Sequence, residues 1–256
     1  MSDNPFTLAG QRVLITGIAN ENSIAYGVAK VCKALGATVV ATYQNEKTFK
    51  FVAPLFAALD VADSFKFDVL NQGDVDGLED YAKRHPFDHV LHSLAGAEPQ
   101  HVHALRADVV DASREEFNSF MSVSAHSFAA LVKATMVTML PGGSFTAVTY
   151  DGSSRVRPGY RLMSACKAAL EALVRQFAHE LGEFQIRVNA VSPGPIKTRA
   201  ASGIGGFDAM LETAEKVNPL RRTVTQDEIA MRTVAIMLNT GVTGVVDVVD
   251  CGQHVY

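Results

Sequence analysis

Tyr160 and Lys167 stand seven residues apart, in the segment Tyr160-Arg-Leu-Met-Ser-Ala-Cys-Lys167. At about 3.6 residues per turn, that interval returns to nearly the same face of a helix two turns on. A helix begun here would line one cleft with a phenol hydroxyl and an ammonium. The pair alone also fits a solvated helix face. Two further segments point toward the same place. Tyr150 lies ten residues before Tyr160, at the end of an expected strand, and Asn189 to Thr198 (NAVSPGPIKT) follows another.

A second constellation stands near the N-terminus, at Thr16-Gly17-Ile18-Ala19-Asn20-Glu21-Asn22-Ser23-Ile24. Small residues between a strand and a helix let backbone N–H groups approach a pyrophosphate, and the helix N-terminus aims its positive end at that charge. Gly17 suits the tight turn. Ser23 suits an N-cap whose hydroxyl can also donate to phosphate. Gly27, one turn into the helix, would let that helix pack close to the sheet. The spacing is not G-x-G-x-x-G, so an ordinary strand–loop–helix connection also fits.

Adenosine recognition falls at the end of the second strand, where a carboxylate selects ribose hydroxyls and an arginine a 2′-phosphate. Tyr43-Gln44-Asn45 stands there. Gln44 can hydrogen-bond a hydroxyl but cannot neutralise a phosphate, which favours NADH, while Lys47 and Lys50 keep NADPH open. Asp68 fits an acceptor for the adenine amino group or, equally, a carboxylate at a helix start.

The elements that must position these residues alternate. Strands are expected at 12–16, 38–42, 64–67, 89–92, 144–149, 186–190 and 245–249, and helices at 24–35, 47–59, 72–83, 114–139, 160–181, 207–216 and 226–238. Strands alternating with helices of this length predict crossover units, hence an α/β Rossmann-type doubly wound parallel sheet of about seven strands with helices on both faces. No linker or repeat interrupts residues 1–256, so one domain is expected. Two long loops, 95–113 and 192–206, follow strands and so belong at the carboxyl edge, where ligands bind in this architecture.

Of the 256 residues, 48% are hydrophobic and 20% charged, enough for a large core and too apolar for disorder. A net charge of −4 argues against a nucleic-acid or anionic-membrane binder, which needs a basic face. Cys32, Cys166 and Cys251 are widely spaced, which predicts buried thiols in a reducing cytosol rather than zinc or disulfides. His101-x-His103 lacks an evident third ligand, so no metal is expected. The N-terminus lacks the pattern of a signal peptide, and no apolar stretch is long enough to span a bilayer. A soluble, cytoplasmic protein is expected.

These residues together carry a resemblance. The chain resembles the short-chain dehydrogenase superfamily and, more narrowly, the bacterial enoyl-acyl-carrier-protein reductases, over nearly its whole length. The likeness rests on GIANENSIAYG from Gly17, TYQNEK from Thr42, HSLA from His92, Tyr150 with Tyr160-x2-Met163-x3-Lys167, RVNAVSPGPIKTRAASGI from Arg187, and PLRRTVT from Pro219. The ketoreductase branch has Tyr-x3-Lys and an upstream serine, where this chain has Tyr-x6-Lys and Ala147.

The resemblance implies NADH-dependent reduction of the C=C bond of trans-2-enoyl thioesters on acyl carrier protein, in type II fatty acid synthesis. It implies that Tyr160 hydrogen-bonds the thioester oxygen as enolate charge develops, that Lys167 holds the nicotinamide ribose, and that Tyr150 borders the substrate or assists protonation. It places the cofactor along Gly17, Ser23, Ile24, Gln44, Asp68, Val69, Ser93, Leu94, Ala95, Gly194, Ile196, Thr198 and Ala200. It places the substrate against Ala97, Met163 and Ile204, with a substrate-binding loop region around 195–217. A homotetramer is implied in the same way.

Three departures stand out: Ala95-Gly96-Ala97, where a bulky apolar residue is more usual; Asp151 after Tyr150, where an uncharged residue is more usual; and Asp250-Cys251-Gly252, where a double glycine is typical. They leave open a diverged reductase of another activated alkene or carbonyl. A non-catalytic nucleotide-binding paralogue is the remaining alternative.

Overall fold

The first strand, β1 (Arg12–Ile15), is buried on both faces. Val13 and Ile15 enter one core and Leu14 the other, as the two-residue period of a strand requires. The same division runs through β2 (Thr38–Tyr43), where Val39 and Ala41 oppose Val40. With β3 (Asp63–Lys66), β4 (His89–His92), β5 (Ser144–Val148), β6 (Arg187–Pro193) and β7 (Val246–Val249), these form one parallel sheet in the order β3-β2-β1-β4-β5-β6-β7. The expected doubly wound sheet is observed. The computed structural model describes residues 6–198 and 207–255.

Helices α1 (Ile24–Ala34), α2 (Glu46–Ala58) and α8 (Gln226–Leu238) cover one face, and α3 (Gln72–Arg84), α5 (Ser127–Met136) and α6 (Leu162–Leu181) the other. The chain turns back between β1 and β4, so their carboxyl ends open the crevice in which ligands bind in such sheets.

Two expectations about helices are corrected. The helix expected at 114–139 is α4 (Arg114–Met121), then a π-helical turn at Ser122–His126, then α5. The turn is held by side chains that bond sideways: Ser124 to Gly96, and Ser127 to His92. Met139 falls beyond the end of α5 and is buried, while Met136 is half-buried. Gly27 does not serve helix–sheet contact. A Cβ there would stand 2.7 Å from Cγ of Gln226, so this glycine lets α1 meet α8.

Candidate active site

The crevice between β1 and β4 is closed at its floor by backbone. Thr16 Oγ1 donates to the Leu91 carbonyl at 2.9 Å and accepts from Ser93 N–H at 3.3 Å. Gly17 follows with φ +91°, and a Cβ on it would lie 2.1 Å from the Ser93 carbonyl oxygen. Only glycine lets the two loops come this close.

Ser23 occupies the N-cap position of α1, but its hydroxyl does not cap the helix. It turns back into the loop, accepting from Ala19 and Asn20 N–H at 3.0 Å each and donating to the Asn20 carbonyl at 2.8 Å. The serine therefore shapes the loop, and α1 keeps its leading donors. Neither Ile24 N–H nor Ala25 N–H has a partner among the described residues. Orphan amides at a helix N-terminus fit the pyrophosphate of a dinucleotide.

Gln226 braces this loop from α8, donating from Nε2 to the carbonyls of Glu21 at 2.8 Å and Ser23 at 2.7 Å. Nothing in the local sequence marks it. Two neutral hydrogen bonds are worth about 0.5–1.5 kcal/mol each. Gln226→Ala is expected to raise the KM for NADH by about five- to tenfold with kcat unchanged; steady-state titration of NADH checks this.

At the end of β2, Gln44 is exposed beside Asn45, which caps α2. Asp68 is half-buried; its Oδ1 accepts from Leu70 N–H at 3.1 Å, while the cap of α3 is Asn71. Val69 and Leu94 pack against the core, and Ala95 is exposed. Gly194 N–H is taken by the Val249 carbonyl at 2.9 Å, and Ile196 leans on the cluster of Val191, Val224 and Ile229. Thr198 is half-buried. Ala200 and Ile204 lie outside the described residues.

Tyr160 does not sit on the helix, as its spacing from Lys167 predicts. Pro158-Gly159 puts it in a turn, Tyr160 N–H donating to the Arg157 carbonyl at 3.0 Å; Arg161 takes φ +48°, and α6 begins at Leu162. The ring still meets Tyr150, with centroids 4.7 Å apart at 59°. Gly152 makes this possible, because a Cβ there would stand 2.4 Å from Cδ1 of Tyr160. Lys167 is buried, and its Nζ donates to the Val148 carbonyl at 2.8 Å. Its two other N–H donors have no partner among the described residues.

Met163 is buried with Tyr150, Tyr160 and Phe120, and Ala97 packs on this cluster. Ser124, from the π-helical turn, accepts from Gly96 N–H at 2.9 Å and donates to the Gly96 carbonyl at 3.0 Å, fixing the loop after β4. From α7 (Phe207–Val217), the Met210 sulfur lies 3.6 Å from the Tyr150 hydroxyl. Ser124, Met210 and Gln226 escape a reading of spacing, because each acts on a residue distant in sequence, and Gly152 escapes it because its role depends on how two rings pack.

Burial sets the protonation states. It pushes the Tyr160 hydroxyl well above its ordinary pKa and Tyr150 up to about 12, so both stay protonated donors. It pushes Lys167 down to about 8. It pushes His92 down to about 3, so this ring remains neutral.

The family model described as enoyl-(acyl carrier protein) reductase matches residues 17–254. The chain belongs to the enoyl-(acyl carrier protein) reductase family. Among relatives of this reductase, the NADH enoyl-[acyl-carrier-protein] reductase of Rickettsia felis is 39% identical over 97% of this chain and 96% of its own. A Rhizobium meliloti NADH enoyl-[acyl-carrier-protein] reductase is 40% identical over 96% of this chain and 92% of its own. A crystal structure of the Anaplasma phagocytophilum enoyl-(acyl-carrier-protein) reductase, in complex with NAD, superposes with a TM-score of 0.91 at 37% identity, covering 97% of this chain and 95% of that one.

The departures find local partners in this reductase. Asp151 pairs with Arg157, whose Nε donates at 2.9 Å. Asp250 accepts from Gly252 N–H at 2.9 Å and His254 N–H at 2.7 Å, while Cys251 takes φ +57°. Cys32 and Cys166 are buried, but Cys251 is only half-buried. The H-x-H does have carboxylates, contrary to the sequence reading. His103 Nε2 lies 2.7 Å from Glu116 and His101 Nε2 4.0 Å from Glu98. They form no group of three metal-binding side chains among the described residues. Arg222 is paired with Glu228, with Nη1 at 2.8 Å. Among the described residues, no helix is long and apolar enough to cross a membrane.

Proposed function

We propose that this reductase transfers hydride from NADH to the β-carbon of trans-2-enoyl thioesters on acyl carrier protein, in type II fatty acid synthesis. The observation that carries this reading is the buried, protonated Tyr160, its ring against Tyr150, at the sheet edge where Lys167 keeps two donors free. The printed activity of the relatives supports it, and so does the NAD held by the Anaplasma structure.

Bound NADH supplies the hydride. Gly17, the Ser23-shaped loop and the amide of Ile24 take the pyrophosphate. Gln44, Asp68 and Val69 take the adenosine half, Gln44 selecting ribose hydroxyls. Ser93, Leu94, Ala95, Gly194, Ile196, Thr198 and Ala200 take the nicotinamide half. Lys167 bonds the ribose hydroxyls. Tyr160 donates to the thioester oxygen as negative charge gathers there, and Tyr150 borders the substrate. Ala97 and Met163 face the acyl group. The active form is a cytoplasmic homotetramer, a state to be read from sedimentation.

Loss of nicotinamide absorbance with crotonyl and longer enoyl thioesters, beside a ketoacyl thioester, tests the activity. Turnover of the enoyl thioesters is expected. NADH binding without turnover of any of them would sink the proposal.

Lysine binds ribose as an ammonium, present below its pKa and lost above it. With Lys167 held at about 8, kcat/KM for NADH is expected to fall as pH rises through that value. Lys167→Met removes this limb and raises the Kd for NADH about tenfold or more, the scale of a charge-assisted hydrogen bond. Fluorescence titration across pH checks both.

A further inference from the structure

Glu171 stands on α6, one turn beyond Lys167. Its Oε1 accepts the hydroxyl of Thr149 at 2.6 Å. Thr149 is only 2% exposed and is itself tied to the sheet, its N–H donating to the Val191 carbonyl at 2.9 Å. The end of β5 thus presents three consecutive contacts. The Val148 carbonyl holds Lys167 Nζ, Thr149 holds Glu171, and Tyr150 meets Tyr160. Glu171 forms no ion pair within 4.0 Å among the described residues, so it leaves the ammonium's free donors unoccupied while its charge, held by Thr149 one turn along the helix, still favours the charged form of Lys167.

We propose that Glu171 is a positioning residue for the reaction: anchored by Thr149, its carboxylate keeps the buried Lys167 in the charged form that binds the cofactor ribose. The inference rests on the assignment of Lys167 to the ribose.

The surroundings of Lys167 leave this task to few groups. From α6, Cys166 and Glu171 oppose the effect of burial on the ammonium. Burial holds the Cys166 thiol up at about 11, so it carries no charge near neutral pH. From β4, His92 is neutral, and Tyr150 and Tyr160, from the turn before α6, stay protonated. Glu171 is the remaining full negative charge. Its bond to Thr149 is directed into the sheet, which keeps the charge on the Lys167 side of the helix.

The test is the pH profile of kcat/KM for NADH, measured on the full chain. Glu171→Gln keeps an acceptor for Thr149 and removes the charge. Its basic limb is expected to move down by about half to one pH unit, because losing a nearby opposite charge favours the neutral amine. The change should fall on KM for NADH, with kcat below the limb held within about twofold. Thr149→Val frees the carboxylate to swing away and should move the limb the same way by less. A purely structural Glu171 would lower Tm in both variants and leave the limb in place. A Glu171→Gln limb that superposes on the parent overturns the inference. Lys167→Met separates the two levels. If it binds NADH as tightly as the parent, the ribose assignment fails and the inference falls with it. If it weakens NADH while the Glu171→Gln limb stays fixed, only the inference falls.

Discussion

Tyr160→Phe is expected to lower kcat about 100- to 1000-fold while the Kd for NADH stays within about twofold. Losing one oxyanion donor costs about 2.7–4 kcal/mol of transition-state stabilisation. The ring is 6% exposed and packed at a tilt against Tyr150, and Gly152 leaves room for both. Phenylalanine therefore keeps the packing and removes only the donor. Single-turnover rates beside NADH titration check the split. A variant that loses NADH affinity in proportion to kcat would show the hydroxyl acting on the cofactor rather than on the thioester oxygen. Tyr150→Phe should cost less, since the Tyr150 hydroxyl faces the Met210 sulfur.

Gly17→Ala is expected to be the most disruptive single methyl in the crevice. Its Cβ would stand 2.1 Å from a backbone oxygen of Ser93, an atom that no rotamer can move aside, at φ +91°. Overlap and backbone strain together should cost about 3 kcal/mol or more. At about 2–4 °C per kcal/mol for a chain of this size, Tm should fall by about 6–12 °C. Bound NADH should restore little of the loss, since the same displacement spoils the phosphate loop. Calorimetry with and without NADH checks both parts.

The strands were legible because burial on both faces leaves continuous apolar runs, as in Arg12–Ile15 and Thr38–Tyr43, whereas their order is seen only in the structure. The strand–loop–helix turn at Gly17 and Ser23 was legible, yet the Ser23 hydroxyl turns into the loop rather than onto the helix. Spacing located Tyr160 and Lys167 but misplaced Tyr160 on the helix, because Arg161 at φ +48° delays the start of α6. Asp151, a departure from the family pattern, has a partner in Arg157 six residues on. Thr149 with Glu171, and Gln226 with the Glu21 carbonyl, join residues 22 and 205 positions apart. Such pairs depend on how distant elements dock, and local periodicity carries no trace of them. Ala200 and Ile204, expected at the cofactor and the substrate, lie outside the described residues.

The π-helical turn at Ser122–His126 has one more consequence. A turn of this kind absorbs a single extra residue while the helix on either side keeps its own phase. Taking one residue back out would therefore leave Phe120 and Phe128 in their buried places and let α4 run straight into α5. What would go is the outward step that brings Ser124 to Gly96. Architecture and active-site support are separable at this point of the chain. A one-residue deletion can unmake the second while sparing the first, which makes the turn a place where the loop after β4 can be retuned without rebuilding the core.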